Sequence, residues 1–92
     1  MQLFWLPKAL ENLKDIELYI KADKPKSAKK VAQEIKKATR KIAQYPQIGR
    51  VSLLDDFREV SLAKYPYRIF YTVRDNQIII SRILHNKQNR PD

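Results

Sequence analysis

The segment between Pro25 and Pro46 indicates a long amphipathic helix, which needs a second layer to pack against. Small or apolar residues recur along it every three or four positions, at Ala28, Val31, Ala32, Ile35, Ala38, Thr39 and Ile42. The opposite side carries the cations Lys26, Lys29, Lys30, Lys36, Lys37, Arg40 and Lys41. The helix should begin at Pro25 or Lys26 and end at Tyr45, because the residue before a proline avoids the α region.

A shorter helix is predicted before this one. Pro7 suits the first turn of a helix, where its missing N–H group has no consequence. Apolar residues then recur at helical spacing, at Leu10, Leu13, Ile16 or Glu17, and Ile20. The pattern ends near Ala22, and only Asp23-Lys24-Pro25 follows before the next helix. Two helices joined by so few residues should run antiparallel as a helical hairpin.

The segments outside the helices have the composition of β-strands. The first six residues are one candidate, because Phe4 and Trp5 favour extended structure. Three more candidates follow the helices: Phe57 to Leu62, Tyr67 to Arg74, and Gln77 to Leu84. Asp75-Asn76 is a two-residue hairpin signal between the last two. The run Ile78-Ile79-Ile80 is apolar on both sides, which favours an interior strand covered by the helices.

The other connections give the remaining outline of the fold. Residues 47–56 are predicted as a loop, in which we expect Gly49 to adopt a conformation that other residues resist. Residues 86–92 are predicted as a flexible tail of a single domain spanning residues 1–92. The predicted fold class is α+β: an N-terminal strand, an antiparallel helical hairpin and a three-stranded antiparallel run, with the helices packed on one face of the sheet.

Charge and composition exclude several classes of function. The chain has 19 Lys and Arg against 10 Asp and Glu, a net charge of +9, which predicts an anionic partner. It has no cysteine and one histidine, so disulfide frameworks, Cys-based metal sites and His-cluster metal sites are excluded, and we expect no cofactor. No apolar stretch is long enough for a secretory signal or a membrane span. We therefore expect a cytoplasmic protein with no membrane partner.

The basic side of the second helix has two interpretations. Between Lys21 and Lys41, nine residues are basic and two are acidic. A charged helix side is usually just solvated, but this excess of cations also suits a nucleic acid or an acidic protein. Direct sequence-specific DNA recognition is not favoured, because no nucleic-acid-reading motif is present. The candidate contact residues are Lys29, Lys36, Lys37 and Arg40, with Arg50 and Lys87 outside the helix.

Five short motifs follow one another between Leu3 and Lys87. They are Pro7-Lys8-Ala9-Leu10-Glu11-Asn12-Leu13, Tyr45-Pro46-Gln47-Ile48-Gly49-Arg50, Phe57-Arg58-Glu59-Val60, Tyr67-Arg68-Ile69-Phe70-Tyr71 and Ile83-Leu84-His85. In this order and spacing they resemble the RelE/ParE superfamily of toxins from bacterial toxin–antitoxin pairs. The two long helices resemble the ParE branch more than the RelE branch.

The resemblance implies a toxin whose groove is covered by a cognate antitoxin. ParE-like toxins are described as poisons of DNA gyrase that have no catalytic site of their own. RelE-like toxins are ribosome-dependent endonucleases that cut mRNA. We therefore expect an inhibitor of DNA gyrase, with a ribosome-dependent mRNA endonuclease as the alternative. A basic nucleic-acid-binding module that has lost toxicity is a third hypothesis.

The endonuclease alternative makes specific demands on side chains. Attack by a 2′-hydroxyl needs a base, cations that stabilise the phosphorane charge, and an acid for the leaving oxygen. His85 is the candidate base or acid, because histidine exchanges a proton near neutral pH. The candidate catalytic cations are Arg58, Arg68 and Arg82, provided that the strand registers place them on one sheet face. Glu59 is an alternative base. Strand alternation places it on the opposite sheet face from Arg58, which counts against the two residues acting together.

Each of these residues also has a plain structural interpretation. A histidine at a strand end is commonly a hydrogen-bonded rim residue, which is the ordinary interpretation of His85. Arg68 and Arg82 alternate with Ile69 and Ile83 and would suit a solvated surface or an antitoxin contact equally well. Tyr67 and Tyr71 are expected in the core rather than as platforms for base stacking.

Overall fold

The structure is a computed structural model that describes residues 1–52 and 56–87. These residues form two helices and one five-stranded sheet. The elements are β1 (Gln2–Trp5), α1 (Pro7–Lys21), α2 (Pro25–Gln44), β2 (Arg50–Val51), β3 (Arg58–Ser61), β4 (Tyr67–Arg74) and β5 (Gln77–His85). The strand order is β1-β5-β4-β3-β2. Strand β1 runs parallel to β5, and the other neighbouring pairs are antiparallel. The predicted α+β fold is confirmed.

The segment after α2 differs from its prediction. Arg50 and Val51 lie in strand β2, paired with Glu59 and Arg58 of β3, where a loop was predicted. Two residues are too few to show the alternation that marks a strand in sequence. The predicted loop also included Asp55, which lies outside the described residues. At the other end of the chain, Asn86 and Lys87 form a turn, and the predicted tail beyond them lies outside the described residues.

The register gives the sheet two distinct sides. We call the side that faces the helices the helix side; on the three antiparallel strands β3, β4 and β5 it carries Arg58, Val60, Tyr67, Ile69, Tyr71, Val73, Ile78, Ile80, Ile83 and His85. We call the other the open side; it carries Arg50, Glu59, Ser61, Arg68, Phe70, Arg82 and Leu84.

The helix side holds the main core. Helix α2 buries every residue of its predicted apolar face except Ala38, which is half-buried. Helix α1 buries Ala9 and Leu13 and packs Ile16 and Ile20 against the same cluster. The prediction for Leu10 is wrong, because this residue is 52% exposed. The buried face of α1 instead includes Ala9, the preceding residue, which lies about 100° away around the helix. In the described part of the chain, neither helix is long and apolar enough to cross a membrane.

A bulge in β5 keeps this core on one side. Arg82 pairs with Phe70 and Ile80 pairs with Tyr71, so Ser81 is an extra residue between them. Its hydroxyl is buried and donates to the Phe70 carbonyl at 3.0 Å. An unbroken strand would place Ile80 and Ile83 on opposite sides, because side chains alternate. The bulge brings both to the helix side.

Gly49 is required by a close contact. Its φ is not positive, so the prediction of an unusual backbone conformation is wrong. A Cβ built at this position would lie 2.7 Å from both Cε1 and Oη of Tyr71, and 3.0 Å from Cβ of Arg58. Any larger residue would collide with the buried tyrosine. The glycine is therefore needed for the close approach of backbone to sheet.

Candidate functional site

A groove of about 640 Å³ lies between the C-terminal half of α2 and the outer edge of the sheet at β3. We call it the α2–β3 groove. Its apolar lining is Ala38, Ile42, Ile48, Val60, Leu62 and Ala63. Its polar lining is Glu34, Lys37, Lys41, Arg50, Glu59 and Ser61. The groove has an apolar floor and a rim of three cations and two carboxylates, which suits a partner segment that is apolar on one side and has acidic groups on the other.

Strand β3 borders this groove with part of its edge unpaired. Strand β2 pairs only with Arg58 and Glu59. Among the described residues, Val60 and Ser61 therefore have a neighbouring strand on one side only, the side of β4. An edge of this kind presents backbone hydrogen-bonding groups that an extended peptide can pair with.

Tyr71 ties the segment Tyr45–Arg50 to the sheet. Its hydroxyl donates to the Pro46 carbonyl at 2.7 Å and accepts the Gly49 N–H at 2.9 Å. Burial raises the pKa of this hydroxyl, although the bond from Gly49 and the charge of Arg58 act in the opposite direction. This segment supplies Ile48 and Arg50 to the α2–β3 groove, so Tyr71 indirectly holds one wall of the groove in place.

Two of the predicted catalytic arginines lie together on the open side. Arg68 pairs with Leu84 and Arg82 with Phe70, so the two arginines are diagonal neighbours. The Arg68 guanidinium carbon lies 5.5 Å from the centre of the Phe70 ring, which is a cation–π distance. The arginine thus helps to cover an apolar ring on the side without helices.

Glu59 shares the open side with these arginines. It pairs with Phe70 across the sheet, and its Oε1 accepts a hydrogen bond from Arg50 Nη2 at 2.6 Å. The Glu59 side chain is 11% exposed, whereas that of Arg50 is 82% exposed. Strand alternation predicts that Glu59 and Arg58 lie on opposite sides of the sheet, and the register confirms this prediction.

Arg58 and His85 lie on the helix side, away from Arg68 and Arg82. Arg58 pairs with Tyr71, and its Nη1 donates to the carbonyls of Gly49 at 2.9 Å and Gln47 at 3.3 Å. The condition that Arg58, Arg68 and Arg82 share one face is therefore met only for Arg68 and Arg82.

His85 is placed at the end of β5 by contacts with its neighbours. It pairs with Tyr67, and the two rings meet edge to face with centroids 5.3 Å apart. Its Nδ1 accepts the backbone N–H of Lys87 at 3.0 Å. Tyr67 and Tyr71 are both buried, which confirms their prediction as core residues.

The six cations predicted to contact a target or partner occupy several places. Lys37 and Arg50 line the α2–β3 groove. Lys36 and Arg40 line a smaller cavity beside β1. Lys29 is exposed nearer the beginning of α2, and Lys87 follows β5. Within residues 1–52 and 56–87, no group of three or more acidic, His or Cys side chains could hold a metal ion.

Sequence reasoning missed two contributors to the groove. Lys41 belongs to the predicted basic side of α2 but is not among the predicted contact residues, although it lines the groove with Lys37. The hydroxyl of Tyr71 was not predicted to hold the Tyr45–Arg50 segment. One sequence signal was available for it, because a tyrosine on a core-facing position needs a partner for its hydroxyl.

Comparisons with known proteins give one consistent result. The family model for the ParE toxin of the type II toxin–antitoxin system parDE matches residues 3–90. Y4kP of Sinorhizobium fredii, named as a candidate toxin, is 36% identical over 88 residues, which cover 95% of this chain and 90% of that protein. Toxin RelE2 of Caulobacter vibrioides is 36% identical over 84 residues, covering 91% of this chain and 93% of that protein.

Solved structures agree with the sequence relatives. The chromosomal ParDE toxin–antitoxin system from P. aeruginosa matches with a TM-score of 0.83 and 26% identity, over 92% of this chain and 95% of that chain. The intact E. coli RelBE toxin–antitoxin complex matches with a TM-score of 0.68 over 97% of this chain and 98% of that chain. Its 19% identity supports the shared fold alone. With a family model matching almost its whole length, this chain belongs to the ParE toxin family of type II toxin–antitoxin systems.

Proposed function

We propose that this type II toxin inhibits DNA gyrase, that it catalyses no reaction itself, and that a cognate antitoxin neutralises it. A gyrase inhibitor acts in the cytoplasm, where we expect the chain. The observation that carries the proposal is the division of the candidate catalytic residues between the two sides of the sheet. His85 and Arg58 lie on the helix side, whereas Arg68 and Arg82 lie on the open side.

This division counts against RNA cleavage by His85. A general base and the cations that stabilise the phosphorane must reach the same phosphate group. Side chains on opposite sides of a sheet point away from each other. Moreover, Arg58 uses its Nη1 to hold two backbone carbonyls.

The likeness to a ParDE system also supports an inhibitor with an antitoxin partner. The α2–β3 groove supports the antitoxin partner through its shape and charge. It offers an apolar floor, the cations Lys37, Lys41 and Arg50, and an unpaired strand edge at Val60 and Ser61. An acidic antitoxin segment that lies in this groove would also reduce the toxin's net charge of +9.

Ribosome-dependent mRNA cleavage is the second candidate, and one observation favours it. Glu59, Arg68 and Arg82 share the open side, so a carboxylate and two cations stand on one surface. The short ion pair between Glu59 and Arg50 opposes a role as a base, because it keeps the carboxylate engaged.

Induced expression without antitoxin tests the proposal. Gyrase-linked DNA breaks and mRNA 5′ ends are mapped in the same cells, for the wild-type chain and for the variants His85→Ala and Glu59→Gln. We expect DNA breaks, intact mRNA and continued growth arrest in both variants. New codon-positioned 5′ ends without DNA breaks would overturn gyrase inhibition in favour of cleavage. Growth with neither signal would favour a basic binding module without toxicity.

A further inference from the structure

Exposed apolar side chains gather at one end of the molecule, where α2 runs into the sheet. Five of the nine exposed large hydrophobic residues in the described part of the chain lie there: Met1, Tyr45, Ile48, Val51 and Val73. Four of them, all except Val51, line a cavity of about 680 Å³. We call it the Tyr45 cavity. Clustered exposed apolar surface of this kind marks an interaction site.

Arg58 is the charged side chain in the lining of this cavity. Its position follows from the register, since it pairs with Tyr71, faces Val51 on β2 and has Val73 as its diagonal neighbour. Its Nη1 is held by the carbonyls of Gly49 and Gln47. These two bonds use Nη1 and do not involve the donors on Nε and Nη2.

An arginine held in this way is preorganised to bind a carboxylate. The guanidinium offers a planar fork of donors that matches the two oxygens of a carboxylate. Because the backbone carbonyls already fix one nitrogen, less side-chain entropy is lost when the rest binds a ligand.

We propose that the Tyr45 cavity is a second anchor for the antitoxin and binds a segment with a carboxylate beside an apolar side chain. The carboxylate pairs with Arg58, and the apolar side chain packs on Tyr45 and Val73. This inference rests on the proposed antitoxin partner and adds a specific contact to it.

Two observations favour the antitoxin as the occupant. Ile48 lines both the α2–β3 groove and the Tyr45 cavity, so one bound chain can pass from the first to the second. The toxin's net charge of +9 attracts an acidic partner.

A charge-matched pair of substitutions at Val73 tests the proposal while leaving Arg58 and its backbone contacts in place. Val73→Glu puts a carboxylate into the cavity from the toxin itself, where it competes for Arg58. Val73→Gln adds the same bulk without the charge. The dissociation constant of each variant for the antitoxin encoded with the toxin is measured by titration calorimetry, with Leu18→Glu as a control at an exposed position on α1.

We expect Val73→Glu to weaken antitoxin binding at least about tenfold more than Val73→Gln, as for loss of a charge-assisted pair. The Leu18→Glu variant should bind like wild type. Equal affinities of the two Val73 variants would overturn the inference while leaving the proposed function intact. Failure of the wild-type chain to bind the antitoxin would overturn the antitoxin part of the proposed function.

A second measurement tests carboxylate binding in the Tyr45 cavity and needs no antitoxin. The chain is titrated with N-acetyl-phenylalanine and, separately, with its uncharged amide, while the NMR methyl signals of Met1, Ile48 and Val73 are followed. We expect saturable shifts with the acid, at roughly millimolar affinity for so small a ligand, and weaker shifts with the amide. Equal responses to acid and amide, or no saturation, would overturn recognition of a carboxylate by Arg58.

Discussion

The two sides of the sheet are built from the same strands but are held in different ways. On the helix side, Ile69, Ile80 and Tyr71 are fully buried against both helices. On the open side, Phe70 and Leu84 are also buried, yet they lie outside the cluster that the helices complete. The Arg68 guanidinium lies over the Phe70 ring, Glu59 pairs with Phe70 across the sheet, and Arg68 pairs with Leu84.

This difference separates stability from recognition. Packing on the helix side excludes water, and the loss of any large side chain there leaves a cavity. The cations that line the α2–β3 groove, Lys37, Lys41 and Arg50, are exposed, so they contribute little to stability but attract charged partners. We therefore expect substitutions of the buried residues on the helix side to change the free energy of unfolding, and substitutions of exposed charged residues to change binding more than stability.

The largest effect on stability is expected from Ile69→Ala. Ile69 is fully buried at the centre of β4, and removing its side chain should lower the free energy of unfolding by about 2–5 kcal/mol. The substitution Arg82→Ala, on the open side of β5, should lower it by no more than about 1 kcal/mol, because the half-buried Arg82 loses only its packing beside Phe70. Denaturant unfolding measures both. Similar losses in the two variants would contradict the proposed difference between the sides.

A smaller loss is expected from Gly49→Ala, where the helix side meets the wall of the groove. The new Cβ would collide with Tyr71, which cannot move freely because it is buried. Overpacking of this kind should destabilise the fold by about 1–3 kcal/mol. Gln47→Ala is the control, since Gln47 lies exposed in the same segment. A neutral Gly49→Ala substitution would show that the segment can move away from the sheet.

Much of the helix side was predictable from the sequence. The spacing of Val31, Ile35 and Ile42 indicates one helix face. A periodicity of this kind is local in sequence, so it does not depend on how the helix packs in the fold. The hairpin at Asp75-Asn76 was predictable for a similar reason. Both residues have positive φ, which Asn and Asp tolerate better than most residues.

The open side and the site were less predictable, because they depend on strand register. A shift of one residue moves a side chain to the other side of the sheet. The bulge at Ser81 is such a shift, and the sequence around Ser81 has no pattern that predicts it. The register also separates Arg58 from Arg68 and Arg82. The contact between Gly49 and Tyr71 joins residues 22 positions apart, so it too lies beyond any local pattern.

A third prediction concerns the hydroxyl of Tyr71. Tyr71→Phe keeps the buried ring but leaves the Gly49 N–H and the Pro46 carbonyl without their partner, and should destabilise the fold by about 1–2 kcal/mol. Tyr67→Phe is the control on the same strand and side. Thermal or denaturant unfolding at neutral pH measures both, and an equal effect of the two would argue against the role of Tyr71 in holding the segment.

The pH dependence of the same variant sharpens this test. Burial raises the pKa of Tyr71 above that of the unfolded chain, so folding favours the protonated hydroxyl. The stability that the hydroxyl contributes is complete below about pH 10 and is lost as the pH rises further. The difference in stability between the wild-type chain and Tyr71→Phe should therefore be constant at neutral pH and shrink above pH ~10. A difference that stays constant into strongly alkaline solution would contradict a buried, bonded hydroxyl.

The smallest effect is expected on the open side, from Glu59→Gln. The substitution removes the ion pair with Arg50 and leaves the cations of the open side without their carboxylate. Because the Arg50 side chain is largely exposed, the loss of stability should be below about 1 kcal/mol. This loss of stability should also become smaller as the salt concentration is raised from about 0.05 M to about 1 M, because salt screens charges near solvent.

Glu11→Gln is the matched control for this substitution, because Glu11 forms a 3.5 Å ion pair with Lys8 in which both side chains are well exposed. We expect it to have a smaller effect than Glu59→Gln at low salt and an equally small one at high salt. A loss for Glu59→Gln that persists in high salt would mean that its short hydrogen bond, not screened charge, holds β2 to β3. The open side would then contribute to stability through a buried contact, as the helix side does, and the difference between the two sides would be one of degree.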